Sequence, residues 1–328
     1  MKHKILIVDR FSSTGVSYLK AQPDVELHIC SETAPSKELK LGAHALLIRT
    51  KFKVDSPQLD HFENLKVIVT ATSGFDHIDL KATKARGLQV YFCPEGNQVS
   101  AAEHTLALAL ATARKILPAQ KAIQSGVWER SSLLGMEISG KTWGLIGLGR
   151  IGSRVAKLAQ AFGADVLACD PFKPDEHFKN LGVERVGVIE AFSQSDILSL
   201  HAPLTKETRH LVKASTLELM EPTSLLINTC RGEVIREQDL LEALNERRIA
   251  GAGLDVFENE PLSRTAALAK LPNVVLTPHV GANTVEAFDR SCLVAAQKAL
   301  SFLRGESDLE GDPWTEEWFA AEQNSSKN

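Results

Sequence analysis

No cysteine pair in this 328-residue sequence has C-x-x-C spacing, and the five thiols present, Cys30, Cys93, Cys169, Cys230 and Cys292, are odd in number and widely dispersed. A zinc knuckle and a disulfide framework are therefore not expected, and a reducing cytoplasm is the expected setting. Histidines at metal-ligand spacing beside a carboxylate are missing too, so no metal is expected. No apolar run approaches the roughly 20 residues that a bilayer-crossing helix needs. The longest, residues 105–112, has polar neighbours. The amino terminus passes from Lys2 and Lys4 into an apolar run, residues 5–8, that stops at Asp9, which is not the layout of a signal peptide. Excess positive charge is absent: a formal net charge of -4 gives no attractive field for phosphate backbones or anionic lipids. Nucleic acid and membrane surfaces are thus excluded as expected partners, and a small, locally bound anion is favoured.

The residues present describe a soluble α/β protein. Hydrophobic residues make up 44% and charged residues 24% of the chain, the balance of a globular protein with a large core. Its length suits two domains. Short apolar runs at residues 5–8, 45–48, 67–69 and 90–92 read as buried parallel strands separated by helical patterns at 16–19 and 80–85. An alanine- and leucine-rich stretch, residues 100–114, reads as a long buried helix joining two domains, with Ser100 and Glu103 resembling a capping box. A second series of strand candidates follows at 142–146, 166–169, 197–200, 225–228, 251–254 and 274–276. Such alternation predicts a doubly wound parallel sheet with helices on both faces. A last helical pattern, residues 284–304, is long enough to return to the first domain. The tail, residues 305–328, has Trp314, Trp318 and Phe319 as its only large apolar groups.

The segment Gly147-Leu148-Gly149-Arg150-Ile151-Gly152 is a G-x-G-x-x-G motif, and its context gives it weight. It follows the strand candidate at 142–146, opens a helix over 150–162, and precedes a strand closed by Asp170. Gly147 permits the tight turn, Gly149 lets a pyrophosphate approach the backbone, and Gly152 lets helix and strand pack closely. Asp170 is expected to accept hydrogen bonds from the adenosine ribose and to repel the 2′-phosphate of NADP, so NAD is the expected cofactor. Lys173, just beyond, softens that rejection.

Three further motifs stand where strands of the second series end: Asn228-Thr229-Cys230-Arg231-Gly232, Asp255-Val256-Phe257-Glu258-Asn259-Glu260-Pro261, and Thr277-Pro278-His279-Val280-Gly281. With the glycine motif ahead of them in this order, the chain from residue 5 to about 304 resembles the D-isomer-specific 2-hydroxyacid dehydrogenases. The stretches 126–130, 140–142 and 5–19 look most like the 3-phosphoglycerate dehydrogenases of that family. The resemblance implies two doubly wound parallel-sheet domains. The larger, a Rossmann NAD-binding domain over residues 99–284, is inserted into a flavodoxin-like substrate domain formed by 1–98 and 285–328. It also implies a homodimer through the nucleotide domain.

The chemistry of such a reaction asks for these residue types. Oxidising an alcohol requires a base titrating near neutrality to take the hydroxyl proton while hydride leaves carbon, and His279 is the candidate. The family pattern places Glu260 against the other ring nitrogen, where a carboxylate fixes the tautomer and stabilises the imidazolium. Arg231 offers a fixed fork of donors for the substrate carboxylate and the C2 oxygen. Taken singly, the histidine reads more often as a structural residue than as a catalyst, and the other two as an ordinary surface pair; their joint presence behind the glycine motif favours catalysis. His77, His104 and His201 carry less weight.

By the same resemblance, Arg150, Ile151, Ala202, Pro203, Thr229 and Gly281 lie along the cofactor, Asp255 holds the nicotinamide carboxamide, and Cys230 either approaches the nicotinamide or is a buried core thiol. His279 touches cofactor as well as substrate. The first domain is expected to add Ser73 and Gly74, a turn whose amides face a carboxylate, and Asn97. Arg49 and Lys53 match the phosphate-contacting pattern of phosphoglycerate members, although Phe52 stands where that pattern has threonine. The expected substrate is a 2-hydroxy or 2-keto acid, 3-phosphoglycerate first, with hydroxypyruvate or glyoxylate as the alternative. An NAD-sensing binding protein resembling the C-terminal binding protein corepressors is the alternative from another class. Too few residues follow the last helix for a serine-binding regulatory domain, so no serine inhibition is expected.

Overall fold

The computed structural model describes residues 2–30, 34–306, 309–316 and 319. The chain forms two compact units, Met1–Gln98 with Ala282–Asn328, and Val99–Gly281. The later boundary falls after Gly281 rather than after residue 284. Gly281 is still tied to the second unit, its N–H donating to Asp255 Oδ2 at 2.8 Å, whereas Thr284 caps the closing helix Val285–Leu303 through Ala287 N. No helix among the described residues is long and apolar enough to cross a membrane.

In the first unit the strands are β1 (His3–Ile7), β2 (Val25–Ile29), β3 (Ala45–Ile48), β4 (Val67–Thr70) and β5 (Gln89–Tyr91), with helices α1 (Ser13–Lys20), α2 (Lys37–Gly42), α3 (Ser56–Leu59) and α4 (Leu80–Ala85) between them. The described strands pair in parallel in the order β2-β1-β3-β4-β5. Strand residues alternate between two cores because side chains alternate across the pleat. Ile5, Ile7, Ala45, Leu47, Val67 and Val69 pack with Cys292, Ala295, Ala296 and Ala299 of the closing helix. Leu6, Leu46, Ile48 and Ile68 face Leu59 and Leu80 on the other side. The strand β2 lay outside the sequence-based expectation. It is an edge strand whose Glu26 and His28 are half-buried, so it alternates polar and apolar residues instead of forming an apolar run. In the tail, Trp314 packs beneath Lys84, whose Nζ lies 3.9 Å from the ring centroid; Trp318 falls outside the described residues.

The second unit contains α5 (Gln98–Ala113, entered from the first unit through Gln98), α6 (Ile116–Gln124), β6 (Thr142–Ile146), α7 (Arg150–Ala161), β7 (Asp165–Cys169), α8 (Asp175–Leu181), β8 (Glu184–Arg185), α9 (Val188–Gln194), β9 (Ile197–Leu200), α10 (Ala214–Leu217), β10 (Leu225–Asn228), α11 (Glu237–Asn245), β11 (Gly251–Leu254) and β12 (Val274–Leu276). Its parallel strands run β12-β11-β10-β9-β6-β7-β8, the doubly wound Rossmann order with its reversal between β6 and β9. One face buries Trp143, Leu145, Val155 and Ala159 with Leu108 and Ala109 of α5. The other buries Leu198, Leu200, Leu226, Leu240 and Ala243. The indole N–H of fully buried Trp143 is satisfied by Ser199 Oγ at 2.9 Å. One expectation needs correction, and one strand was not foreseen. Ser100 is not an N-cap: α5 already begins at Gln98, and Ser100 is buried inside it. Both residues of the two-residue strand β8, Glu184 and Arg185, are exposed and charged, so it carries no apolar signal.

Candidate active site

All strands of the second sheet run the same way, so the loops leaving β6, β7, β9, β10, β11 and β12 emerge at one edge. The glycine motif is the first of these loops. Gly147 has φ 96°, and a Cβ there would stand 2.8 Å from the His201 carbonyl. Glycine is required on both counts. A Cβ on Gly152 would stand 2.2 Å from the Gly147 carbonyl oxygen, so this third glycine lets the helix pack on its own loop rather than on the strand. Gly149 has open space around it and begins α7 with no side-chain cap, leaving the first amides of the helix for an anion. Arg150 and Ile151 form the first turn of that helix. Asp170 follows β7, its Oδ2 accepting the Leu148 amide at 2.8 Å and its Oδ1 the Phe172 amide at 2.9 Å. Its carboxylate therefore also fixes the glycine loop. Ala202 is buried and Pro203 half-buried after β9, with the Ala202 amide 3.0 Å from the Cβ position of Gly147.

The loops after β10, β11 and β12 carry the catalytic candidates. Asn228, fully buried at the end of β10, donates through Nδ2 to the Arg231 carbonyl at 2.9 Å, and its Oδ1 accepts the Cys230 amide at 3.1 Å. The Cys230 thiol donates to the same Oδ1 at 3.1 Å, and burial pushes its pKa up to about 11. The thiol is therefore protonated near neutral pH, in a residue that is half-buried. Arg231 Nη1 donates to the Cys230 carbonyl at 2.7 Å, and the Thr229 hydroxyl is 2.8 Å from that of Thr105.

Glu260 and His279 are in direct contact, Glu260 Oε2 lying 2.7 Å from His279 Nδ1, while Glu260 Oε1 accepts the Phe257 amide at 3.1 Å. With Nδ1 engaged by a carboxylate, Nε2 is the ring nitrogen left for chemistry. The imidazole is 50% exposed, as a group that must meet a ligand has to be. His279 has φ 53°, a left-handed backbone unusual for a non-glycine residue. It is held there by its own N–H, donated to the Asp255 carbonyl at 2.7 Å. The Asp255 carboxylate braces the rest of the turn, accepting Thr277 Oγ1 at 2.6 Å, Val280 N at 2.9 Å and Gly281 N at 2.8 Å.

In the first unit, Arg49 follows β3, Ser73 and Gly74 follow β4, and Asn97 follows β5. Ser73 Oγ donates to the Cys93 carbonyl at 3.2 Å and to Asn97 Oδ1, and the Gly74 carbonyl accepts Thr72 Oγ1 at 2.7 Å. Ser73, Gly74 and Asn97 thus form one cluster. Arg49 packs on Phe288, and Lys53 is exposed four residues further along.

Residues 106–281 match the family model described as D-isomer specific 2-hydroxyacid dehydrogenase, NAD binding domain. The chain belongs to this family. It is 37% identical over 306 residues to a D-3-phosphoglycerate dehydrogenase of Archaeoglobus fulgidus, an alignment covering 92% of this chain and 58% of that protein. It is 40% identical over 312 residues to a glyoxylate reductase of Thermofilum pendens, covering 92% of each. A solved D-lactate dehydrogenase from Aquifex aeolicus, complexed with NAD and lactic acid, superposes with a TM-score of 0.81 at 30% identity over 93% of this chain and 96% of that one. This chain spans a little over half the length of the curated phosphoglycerate dehydrogenases that it matches. The second unit of this dehydrogenase-family chain is accordingly an NAD-binding domain, and the open Gly149 loop with its uncapped helix fits the pyrophosphate.

Sequence reasoning missed three residues of this family member. Asn228 stands in the motif without a role assigned from sequence, yet it shapes the Cys230–Arg231 turn. Thr277 and His104 brace Asp255, His104 Nε2 lying 2.9 Å from Thr277 Oγ1 and 3.3 Å from Asp255 Oδ1. A buried asparagine ending a strand before a Gly-containing turn is a signal that could have been used. For His104, inside a helix far away in sequence, there was none.

Proposed function

We propose that the protein is an NAD-dependent dehydrogenase acting at C2 of a small D-2-hydroxy acid, with 3-phosphoglycerate and 3-phosphohydroxypyruvate as its substrate pair and serine biosynthesis as its setting. The observation that carries the reaction type is the Glu260–His279 contact of 2.7 Å at the carboxyl edge of the NAD-binding sheet. His279 Nε2 takes the hydroxyl proton as C2 is oxidised, and returns it in reduction. Glu260 holds Nδ1–H in place and stabilises the imidazolium that forms. Arg231 binds the substrate carboxylate and polarises the C2 oxygen. Bound NAD supplies the hydride acceptor, and Gly147, Gly149, Gly152 and Asp170 are the residues that would hold it. Asp170 favours NAD over NADP by repelling a 2′-phosphate. Asp170→Ser is expected to lower the ratio of kcat/KM for NAD to that for NADP; an unchanged ratio removes Asp170 from cofactor choice.

Support for the phosphorylated substrate is the likeness to phosphoglycerate dehydrogenases at 37 to 38% identity together with Arg49 and Lys53. Ser73, Gly74 and Asn97 take the remaining polar groups of the substrate. Arg49→Ala is expected to cost roughly 1.5 to 3 kcal/mol of transition-state stabilisation with phosphohydroxypyruvate and much less with hydroxypyruvate. Measured as kcat/KM, equal losses on the two keto acids sink the phosphate assignment. A glyoxylate reductase is the second reading, favoured by the 40% identity that runs the length of both chains.

A homodimer through the nucleotide domain is supported by an apolar surface around α6, where Ile123 is 59%, Trp128 83% and Leu134 81% exposed. Patches of this kind mark association sites. Trp128→Glu is expected to halve the mass seen by sedimentation; a wild-type monomer would end the dimer reading. The dispersed free thiols support a cytoplasmic setting.

A further inference from the structure

The first sheet has its own reversal of strand order, at β1 and β3, since β2 lies to one side of β1 and β3, β4 and β5 to the other. In open parallel sheets, ligands bind outside the carboxyl ends of the strands at such a reversal. Two arginines stand there. Arg10 lies three residues beyond β1 and Arg49 directly follows β3. Both guanidinium groups pack on the ring of Phe288 from the closing helix, with Cζ 5.3 Å and 4.6 Å from its centroid. Bringing two like charges to one ring costs free energy unless an anion is placed between or beside them. Among the described residues neither guanidinium has a carboxylate partner within 4.0 Å.

The Asp9 carboxylate, which joins the two loops, is engaged by backbone. Buried Asp9 accepts the Arg10 amide on Oδ1 at 2.9 Å and the Arg49 and Lys51 amides on Oδ2 at 3.1 Å each. It therefore fixes the two loops relative to each other while leaving both guanidinium forks unspent. The start of α1, three residues beyond Arg10, adds the positive end of a helix. Ser12 Oγ is engaged by Gly15 N at 3.2 Å, so the cap does not itself supply a counter-charge.

We propose that Arg10 and Arg49, held on Phe288, form an anion site for a phosphoryl group carried by the substrate away from its reacting carbon. Arg10 and Phe288 are then specificity-determining residues: Arg10 as a second donor fork, Phe288 as the platform that orients both forks. This rests on the reading above that the first unit takes the substrate's distal group. The separation of charge and platform is what gives a bidentate phosphate contact its direction.

The test uses the full chain with NADH and inorganic phosphate as the probe. Phosphate binding is measured by titration calorimetry on wild type, Arg10→Ala and Phe288→Leu, and kcat/KM is measured on phosphohydroxypyruvate and glyoxylate. Arg10 is exposed, so its replacement leaves the fold intact. Phosphate is expected to bind wild type, with affinity about tenfold weaker in Arg10→Ala, the scale of one charge-assisted hydrogen bond, and weaker by a smaller factor in Phe288→Leu. The phosphorylated keto acid is expected to lose more kcat/KM than glyoxylate. Equal phosphate affinity in wild type and Arg10→Ala, or no phosphate binding to wild type at millimolar concentrations, overturns the site. Should phosphate binding depend on Arg10 while wild type turns over both keto acids equally well, the anion site stands and the phosphoglycerate reading falls.

Discussion

Replacing His279 with asparagine is expected to lower turnover by roughly 10² to 10⁴ while NADH binding stays nearly intact. Asparagine can keep a hydrogen bond to Glu260 and tolerates the left-handed backbone that His279 adopts at φ 53°. What it lacks is a nitrogen that can take up and return a proton. Because half of the imidazole surface is exposed, the loss will not come from a collapsed core. Glu260→Gln is expected to cost a smaller factor: the amide oxygen still accepts from Nδ1–H, but the negative charge that supports the imidazolium is gone. Turnover and NADH titration on the same preparations decide the matter. Wild-type turnover in His279→Asn would remove the histidine from the mechanism, and a deeper loss in Glu260→Gln than in His279→Asn would reverse the order of their roles.

The strands buried on both faces were legible because burial forces a continuous apolar run, as in β3, β4, β9 and β10. Two of the four edge strands were not: β2 is half solvated and β8 is two exposed residues, whereas β5 and β12 keep short apolar runs. The same contrast runs through the site. Arg231, Glu260 and His279 could be picked out because each sits in a short motif at the end of a strand. Sequence spacing could not say how the two glutamates of the 255–261 segment divide their work. Glu258 lies 2.7 Å from His210 Nε2 and accepts the Glu237 amide at 3.3 Å, which leaves Glu260 for His279. The bracing of Asp255 by His104 joins residues far apart in the chain, and only the fold creates it. Asp255, which the resemblance gives to the nicotinamide carboxamide, also receives the side chain and amides of the 277–281 turn.

That bracing makes Asp255→Asn the second large effect to expect, this time on stability as well as turnover. Burial opposes ionisation of Asp255, yet the hydrogen bonds from His104, Thr277 and the amides of Val280 and Gly281 outweigh it and hold the pKa at about 2. A carboxylate pKa below its ordinary value of 3.8 contributes stability that is fully present above that ordinary value and is lost as pH falls through the folded value. The size of this shift corresponds to about 2 kcal/mol. Asparagine must turn its NH2 toward either the Gly281 amide or the Val280 amide and Thr277, so at least one buried donor loses its acceptor, at about 1 to 3 kcal/mol. Urea unfolding at pH 7 is therefore expected to show a loss of roughly 2 to 4 kcal/mol, shrinking as pH falls from 4 towards 2 because wild type gives up its charged acceptor over that interval. The amount remaining at low pH measures the misplaced amide alone. Turnover falls at every pH, since the turn that carries His279 loses its brace. An equal stability gap at pH 7 and pH 2.5 would show that the charge of Asp255 does not hold this turn, and would leave its carbonyl bond to the His279 amide as the main support.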